Sequence, residues 1–122
     1  MNPTNESVAM QKSKAFAIRI VKLYNYLCVE KKEFVLSKQL LRAGTSIGAN
    51  LAEARCAISK KEFLTKVGIS FKECSETAYW LELLHDTEYI TSQQYDSMYR
   101  DCNELYKILS STVATLHEKL KH

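Results

Sequence analysis

The sequence predicts an all-α fold, an antiparallel up-down-up-down four-helix bundle in which residues 1–122 make one domain. Three observations carry that expectation. Glycine and proline are scarce, with only Gly44, Gly48, Gly68 and Pro3 in the chain, whereas sheets joined by tight turns need more of both. Apolar residues recur at three- and four-residue steps over long stretches, which is the helical period. Ser37, Ser59 and Thr91 stand where hydroxyl N-caps would begin three helices.

The first helix is expected over about residues 10–31, carried by Phe16, Ile20, Leu23, Tyr24 and Leu27, with residues 1–8 loose ahead of it. The second is expected over about 38–55, capped by Ser37. The third, over about 60–87, is capped by Ser59 with Glu62 three residues on, a capping box. Its stripe is Phe63, Val67, Phe71, Cys74, Ala78, Leu81 and Leu84. The fourth, over about 92–120, is capped by Thr91 with Gln94, and its stripe runs Tyr95, Met98, Cys102, Leu105, Leu109, Thr112, Leu116 and Leu120. Each cap is flanked by an apolar pair suited to a hydrophobic staple: Leu36 with Leu41, Ile58 with Phe63, and Ile90 with Tyr95. Short connections between such helices force neighbours antiparallel.

Composition narrows the function classes. Apolar runs reach only about four residues, far from the roughly 20 that span a bilayer, and no charged segment followed by an apolar run opens the chain, so a cytoplasmic protein with no membrane association is expected. Cys28, Cys56, Cys74 and Cys102 are spaced 28, 18 and 28 apart with no C-x-x-C pair, which favours reduced structural thiols over a metal site. No cofactor motif is present. The charge is lopsided: residues 1–72 hold 13 Lys/Arg against 5 Asp/Glu (+8), and residues 73–122 hold 4 against 9 (−5). Such asymmetry fits a nucleic-acid face. It equally fits basic and acidic helices attracting one another, within a protomer or between protomers.

Gly44-Thr45-Ser46-Ile47-Gly48 matches G-x-S-x-G, the pattern of a hydrolase nucleophile elbow. An elbow needs a strand before it, and the preceding SKQLLRA is helical in pattern. Asp86 or Asp96 with His117 would complete the order of a triad, but in a bundle no oxyanion turn serves them. A phosphate loop fails too, since no lysine follows the glycines. On a helix, Gly44, Gly48 and Ala52 instead form a smooth ridge for close approach of another helix. Arg42, Ser46, Asn50 and Glu53 form a polar strip beside it. Mid-helix Ser and Asn do little for a solvated face. A partly buried structural network is therefore expected, with Arg42 pairing to Glu53 or to Glu73 on the third helix.

The run RAGTSIGANLAEA, Arg42 to Ala54, resembles the signature of a bacterial family of small four-helix-bundle proteins, some encoded in intervening sequences of large-subunit ribosomal RNA genes. The similarity continues through KEFLTKVGISFKECSETAYWLELL, Lys61 to Leu84, and covers nearly the whole chain. Ala78 departs from it, standing where relatives often carry arginine. The resemblance implies bundles that assemble into rings, commonly pentamers. One related branch, the accessory variability proteins of diversity-generating retroelements, binds a reverse transcriptase and nucleic acid through basic surfaces.

Two functions follow as expectations, and neither is an enzyme. In the first, a homo-oligomeric module binds RNA or DNA through Arg55, Lys60 and Lys61 at the helix two–three corner, with Lys66, Lys12, Lys14, Arg19 and Lys22. Open amides at the start of the third helix would add to phosphate binding. In the second, the chain is a protein-interaction scaffold whose oppositely charged halves meet between protomers, with Tyr79, Trp80, Tyr99 and Tyr106 as interface anchors.

Overall fold

The computed structural model describes residues 3–121, which form four α-helices and no strand: α1 Pro3–Val29, α2 Leu36–Ala54, α3 Lys60–Asp86 and α4 Ser92–Lys121. Each helix packs on its neighbours in sequence, and α1 also meets α4, closing a square in which α1–α3 and α2–α4 are the diagonals. This is the antiparallel four-helix bundle.

The first helix begins earlier than its apolar stripe. Residues 3–8, expected to be loose, are helical, while residues 1 and 2 lie outside the described residues. Pro3 suits a first helical position, where its fixed φ is preorganised and no N–H is missed. Further along, Ala9, Phe16, Ile20, Leu23 and Leu27 are buried at three- to seven-residue steps, and Tyr24 is half-buried beside them.

The start of α2 is built differently from the expected serine cap. Val35 is the N-cap and offers no side-chain bond. Glu33, buried in the α1–α2 connection, accepts hydrogen bonds on its carboxylate from the amides of Val35 at 3.0 Å, Ser37 at 3.1 Å and Leu36. A carboxylate satisfies several of the unpaired amides at once and meets the positive end of the helix dipole, which a hydroxyl does not. Ser37 lies inside the first turn, buried, and donates from Oγ to the Glu33 carbonyl at 2.8 Å.

The other two caps use the expected residues. Glu62 N–H donates to Ser59 Oγ at 3.0 Å, and the Glu62 carboxylate accepts from the Ile58 amide at 2.9 Å. Gln94 N–H donates to Thr91 Oγ1 at 3.1 Å, and Thr91 N–H donates to Gln94 Oε1 at 2.8 Å. Ile90 is buried and Tyr95 packs on the core. Ile58, by contrast, is 95% exposed, so no staple joins it to Phe63. The chain leaves α3 through Glu88 at φ 67°, with Tyr89 N–H on Leu84 O at 2.9 Å and Glu88 N–H on His85 O at 3.0 Å, a Schellman termination.

Gly44 and Gly48 are where α2 approaches α1. A Cβ at Gly44 would stand 2.7 Å from Cγ1 of the fully buried Ile20, and one at Gly48 would stand 3.2 Å from Ser13 Oγ. The third glycine differs: a Cβ at Gly68 would meet nothing within 4 Å. In the core of α3, Ser70 and Thr77 are buried alongside the apolar residues. Ser70 Oγ donates across to Ile47 O on α2 at 2.8 Å. Cys74 and Cys102 face each other as buried free thiols with Sγ atoms 3.9 Å apart. The Cys74 thiol and burial push the Cys102 thiol pKa up, so it stays protonated and unreactive.

Gly44→Ala is expected to destabilise the protein by about 1–3 kcal/mol, since overpacking against Ile20 outweighs the roughly 1 kcal/mol gained in helix propensity. Gly68→Ala keeps only the gain, and its melting temperature should rise. Thermal denaturation of the two variants reads both signs. Glu33→Ala should cost about 2 kcal/mol in urea unfolding, because it strips the start of α2 of its acceptor.

Candidate functional site

Lys12 and Arg19 are seven positions apart, so they share one side of α1, and that side faces α4. Lys12 pairs with Glu104. Arg19 pairs with Asp101 at 2.7 Å and donates to Ser97 O at 3.1 Å and Ser97 Oγ at 2.7 Å. Lys66 pairs with Glu53 at 3.2 Å. Three of the eight cations expected to meet nucleic acid are thus engaged by carboxylates of their own chain.

The other five carry no ion pair among the described residues. Lys14 and Lys22 are exposed on α1, away from the face that meets α2 and α4. Arg55 caps the C-terminus of α2, and Lys60 and Lys61 open α3. Arg55 and Lys60 line one shallow hollow of about 310 Å³ with Ile58 and Phe63. Lys61 lines a different groove, between α3 and α4, with Lys72 and His117. The five unpaired basic residues therefore do not make one continuous face: Arg55 and Lys60 share a hollow at the α2–α3 corner, Lys61 adjoins it on another groove, and Lys14 and Lys22 stand apart on α1. Of the amides expected to be open there, Ser59 Oγ takes that of Glu62, while the Glu62 carboxylate turns back to the Ile58 amide ahead of the helix.

The polar strip of α2 is not one network. Ser46 Oγ donates to Arg42 O at 2.6 Å and Asn50 Nδ2 donates to Ser46 O at 2.8 Å, so both turn back onto their own helix. Arg42 and Glu53 are exposed rather than partly buried. Arg42 does reach Glu73, at 3.1 Å, but Glu53 pairs with Lys66 instead. Two partners escaped sequence reasoning: Arg42 also pairs with Glu76, whose Oε2 accepts from Trp80 Nε1 at 3.0 Å. Desolvation opposes the Arg42 charge, and Glu73 and Glu76 together outweigh it, raising its pKa. Ser46 sits mid-helix, diagonally across the bundle from His117, so the G-x-S-x-G letters form no elbow.

The aromatic residues divide. Trp80 turns toward Glu76 and touches Tyr79 edge-on, with ring centroids 5.2 Å apart. Tyr99 and Tyr106 line a hollow of about 290 Å³ across α3 and α4, floored by Ser75 and Ala78. Tyr106 leans on Phe71 at 5.0 Å, and Tyr99 stacks on Tyr95, which stacks on His85. Burial first, then the nearby Glu82, Tyr99, Asp86 and Asp96, push the Tyr95 phenol above its usual pKa. This end of the α3–α4 face is acidic, whereas the groove at the other end is rimmed by Lys61, Lys72 and His117. That groove, of about 630 Å³, was missed from the sequence, and the signal that could have found it is Gly68 in its floor.

Among the described residues no group of three His, Cys, Asp or Glu could hold a metal ion, and no helix is long and apolar enough to cross a membrane. Fold and surface define a helical-bundle protein with exposed charged and aromatic groups. Residues 5–111 match the model of the 23S rRNA-intervening sequence protein family, and the chain belongs to that family. It is also similar to the crystal structure of a protein with unknown function from the S23 ribosomal protein family of Bacteroides thetaiotaomicron. That similarity stands at 53% identity and a TM-score of 0.89, covering 90% of this chain and 98% of the other. Among curated proteins no match is found.

Because the Ser46 hydroxyl bonds only to its own helix, Ser46→Ala should leave stability unchanged or raise it by up to about 0.5 kcal/mol. A fall in melting temperature would mean that Ser46 belongs to an interhelical network after all.

Proposed function

We propose that this chain is a non-catalytic, cytoplasmic binding module that self-assembles and holds RNA or DNA by phosphate contacts at the α2–α3 corner. Assembly into a ring, commonly a pentamer, is what the family resemblance implies. One observation carries the nucleic-acid part: after the chain's own carboxylates have engaged Lys12, Arg19, Arg42 and Lys66, Arg55 and Lys60 share one exposed hollow at the α2–α3 corner with Lys61 next in sequence on the adjoining groove, and none of the three has an ion-pair partner among the described residues. Lysine and arginine of this kind recognise phosphate charge and carry no base readout. Repetition of the corner around a ring would multiply a weak single contact. A protein-interaction scaffold is the second reading, favoured by the exposed Tyr79, Tyr99 and Tyr106. A reverse transcriptase is one partner of that kind.

Light scattering should return an oligomer, and a monomer would remove the ring. In a salt series with labelled RNA and duplex DNA, log affinity should fall linearly with log salt. Replacing Arg55, Lys60 and Lys61 by alanine should flatten that slope by about one for each phosphate no longer neutralised. No binding at low salt, or a slope indifferent to the three replacements, would leave the scaffold reading alone.

A further inference from the structure

Packing inside the chain accounts for two of its three glycines. Gly44 and Gly48 admit Ile20 and Ser13 of α1, but a Cβ at Gly68 would meet no atom within 4 Å. A glycine in the middle of a 27-residue helix lowers its stability, and here nothing within the protomer offsets that loss. Gly68 lies in the floor of the groove between the first half of α3 and the last half of α4, where Leu64, Phe71 and Val113 supply apolar wall. Lys61 and Lys72 stand at its two ends and His117 on the α4 side, and no carboxylate lines it. Neither lysine is paired with a carboxylate among the described residues.

We propose that this groove docks an acidic amphipathic helix of a partner protein. Lys61 and Lys72 are eleven positions apart on α3, about 16 Å at 1.5 Å per residue, the length of three helical turns. The occupant lays apolar side chains at i, i+4 and i+7 along the groove, the helix-in-groove mode of recognition. Its carboxylates flank that stripe and meet the two lysines. Gly68 lets one of its side chains reach the α3 backbone, as Ile20 reaches α2 at Gly44. Charge complementarity selects the acidic partner, because a basic helix would set its cations against Lys61 and Lys72. A nucleic-acid strand would use the lysines and leave the apolar wall unmatched.

The test is fluorescence anisotropy with a fluorescein-labelled helical peptide of about 14 residues, carrying leucines at i, i+4 and i+7 flanked by glutamates, beside a lysine-flanked counterpart. The acidic peptide should bind saturably and at least about tenfold tighter than the basic one. Gly68→Leu, which projects into the open space, should weaken it by about tenfold or more while the melting temperature holds or rises. Lys72→Glu should weaken it similarly. Absence of saturable binding, or equal affinity for Gly68→Leu and the unaltered protein, would overturn the proposal. So would a change in the oligomeric state of Gly68→Leu without peptide, which would assign the groove to contacts between copies of this chain. Nucleic-acid binding is measured in parallel on Gly68→Leu and should be unchanged, so failure of the groove and failure of the α2–α3 corner are read separately.

Discussion

Gly44 brings the backbone of α2 against Ile20 so closely that no side chain fits between them, and the packing of α1 depends on that approach. Two interior glycines weaken α2 by about 1 kcal/mol each. Complete burial of Ile20 returns about 2–3 kcal/mol, and Ser13 is buried two turns away against Gly48. With α1 drawn onto α2, it meets α4 less extensively than the other neighbours meet one another. Across that looser seam the contacts are long side chains: Lys12 to Glu104 and Arg19 to Asp101 with Ser97.

The charge asymmetry of the sequence is thus used first inside the protomer. Its basic half supplies α1 and α2, its acidic half supplies most of α3 and α4, and the ion pairs of Lys12, Arg19 and Arg42 cross between them. Exposed pairs of this sort contribute about 0–1 kcal/mol each, too little to hold the bundle together. Their consequence is selection. Arg19 and Asp101 are far apart in sequence, and only an arrangement that places α1 beside α4 brings them to 2.7 Å. The same pairing separates cations that serve the fold from those with no ion pair among the described residues, a distinction that net charge does not contain.

The parts legible in the sequence were those whose physics is local. The Ser59–Glu62 and Thr91–Gln94 boxes need only residues three apart, and the apolar stripes need only a helical period. The start of α2 was less legible, because Glu33 reaches forward from a connection that looks like any polar loop, and Ser37 imitates the cap it is not. Ile58 fits the staple pattern, yet the turn into α3 leaves it in solvent. The polar strip misled for a related reason: Ser46 and Asn50 satisfy their hydrogen bonds within one turn, and sequence spacing does not distinguish that from bonding across helices. Arg42 was legible in part, with Glu73 foreseen and the Glu76–Trp80 contact not.

Gly44 and Gly68 carry the same letter with different physical content. At Gly44 the missing side chain is a requirement of the protomer, and the neighbour that imposes it is Ile20. At Gly68 the helix gives up stability with no neighbour in place, in a largely apolar groove lined by two lysines and by no carboxylate. The five letters around Ser46 lose their chemical meaning in the same way, because the helix that contains them supplies neither a strained turn nor an oxyanion site. What a residue type signifies in this bundle is set by which surface it meets, and α3 meets three: the core, α2 through Ser70 and Glu73, and an α3–α4 groove that the protomer leaves open.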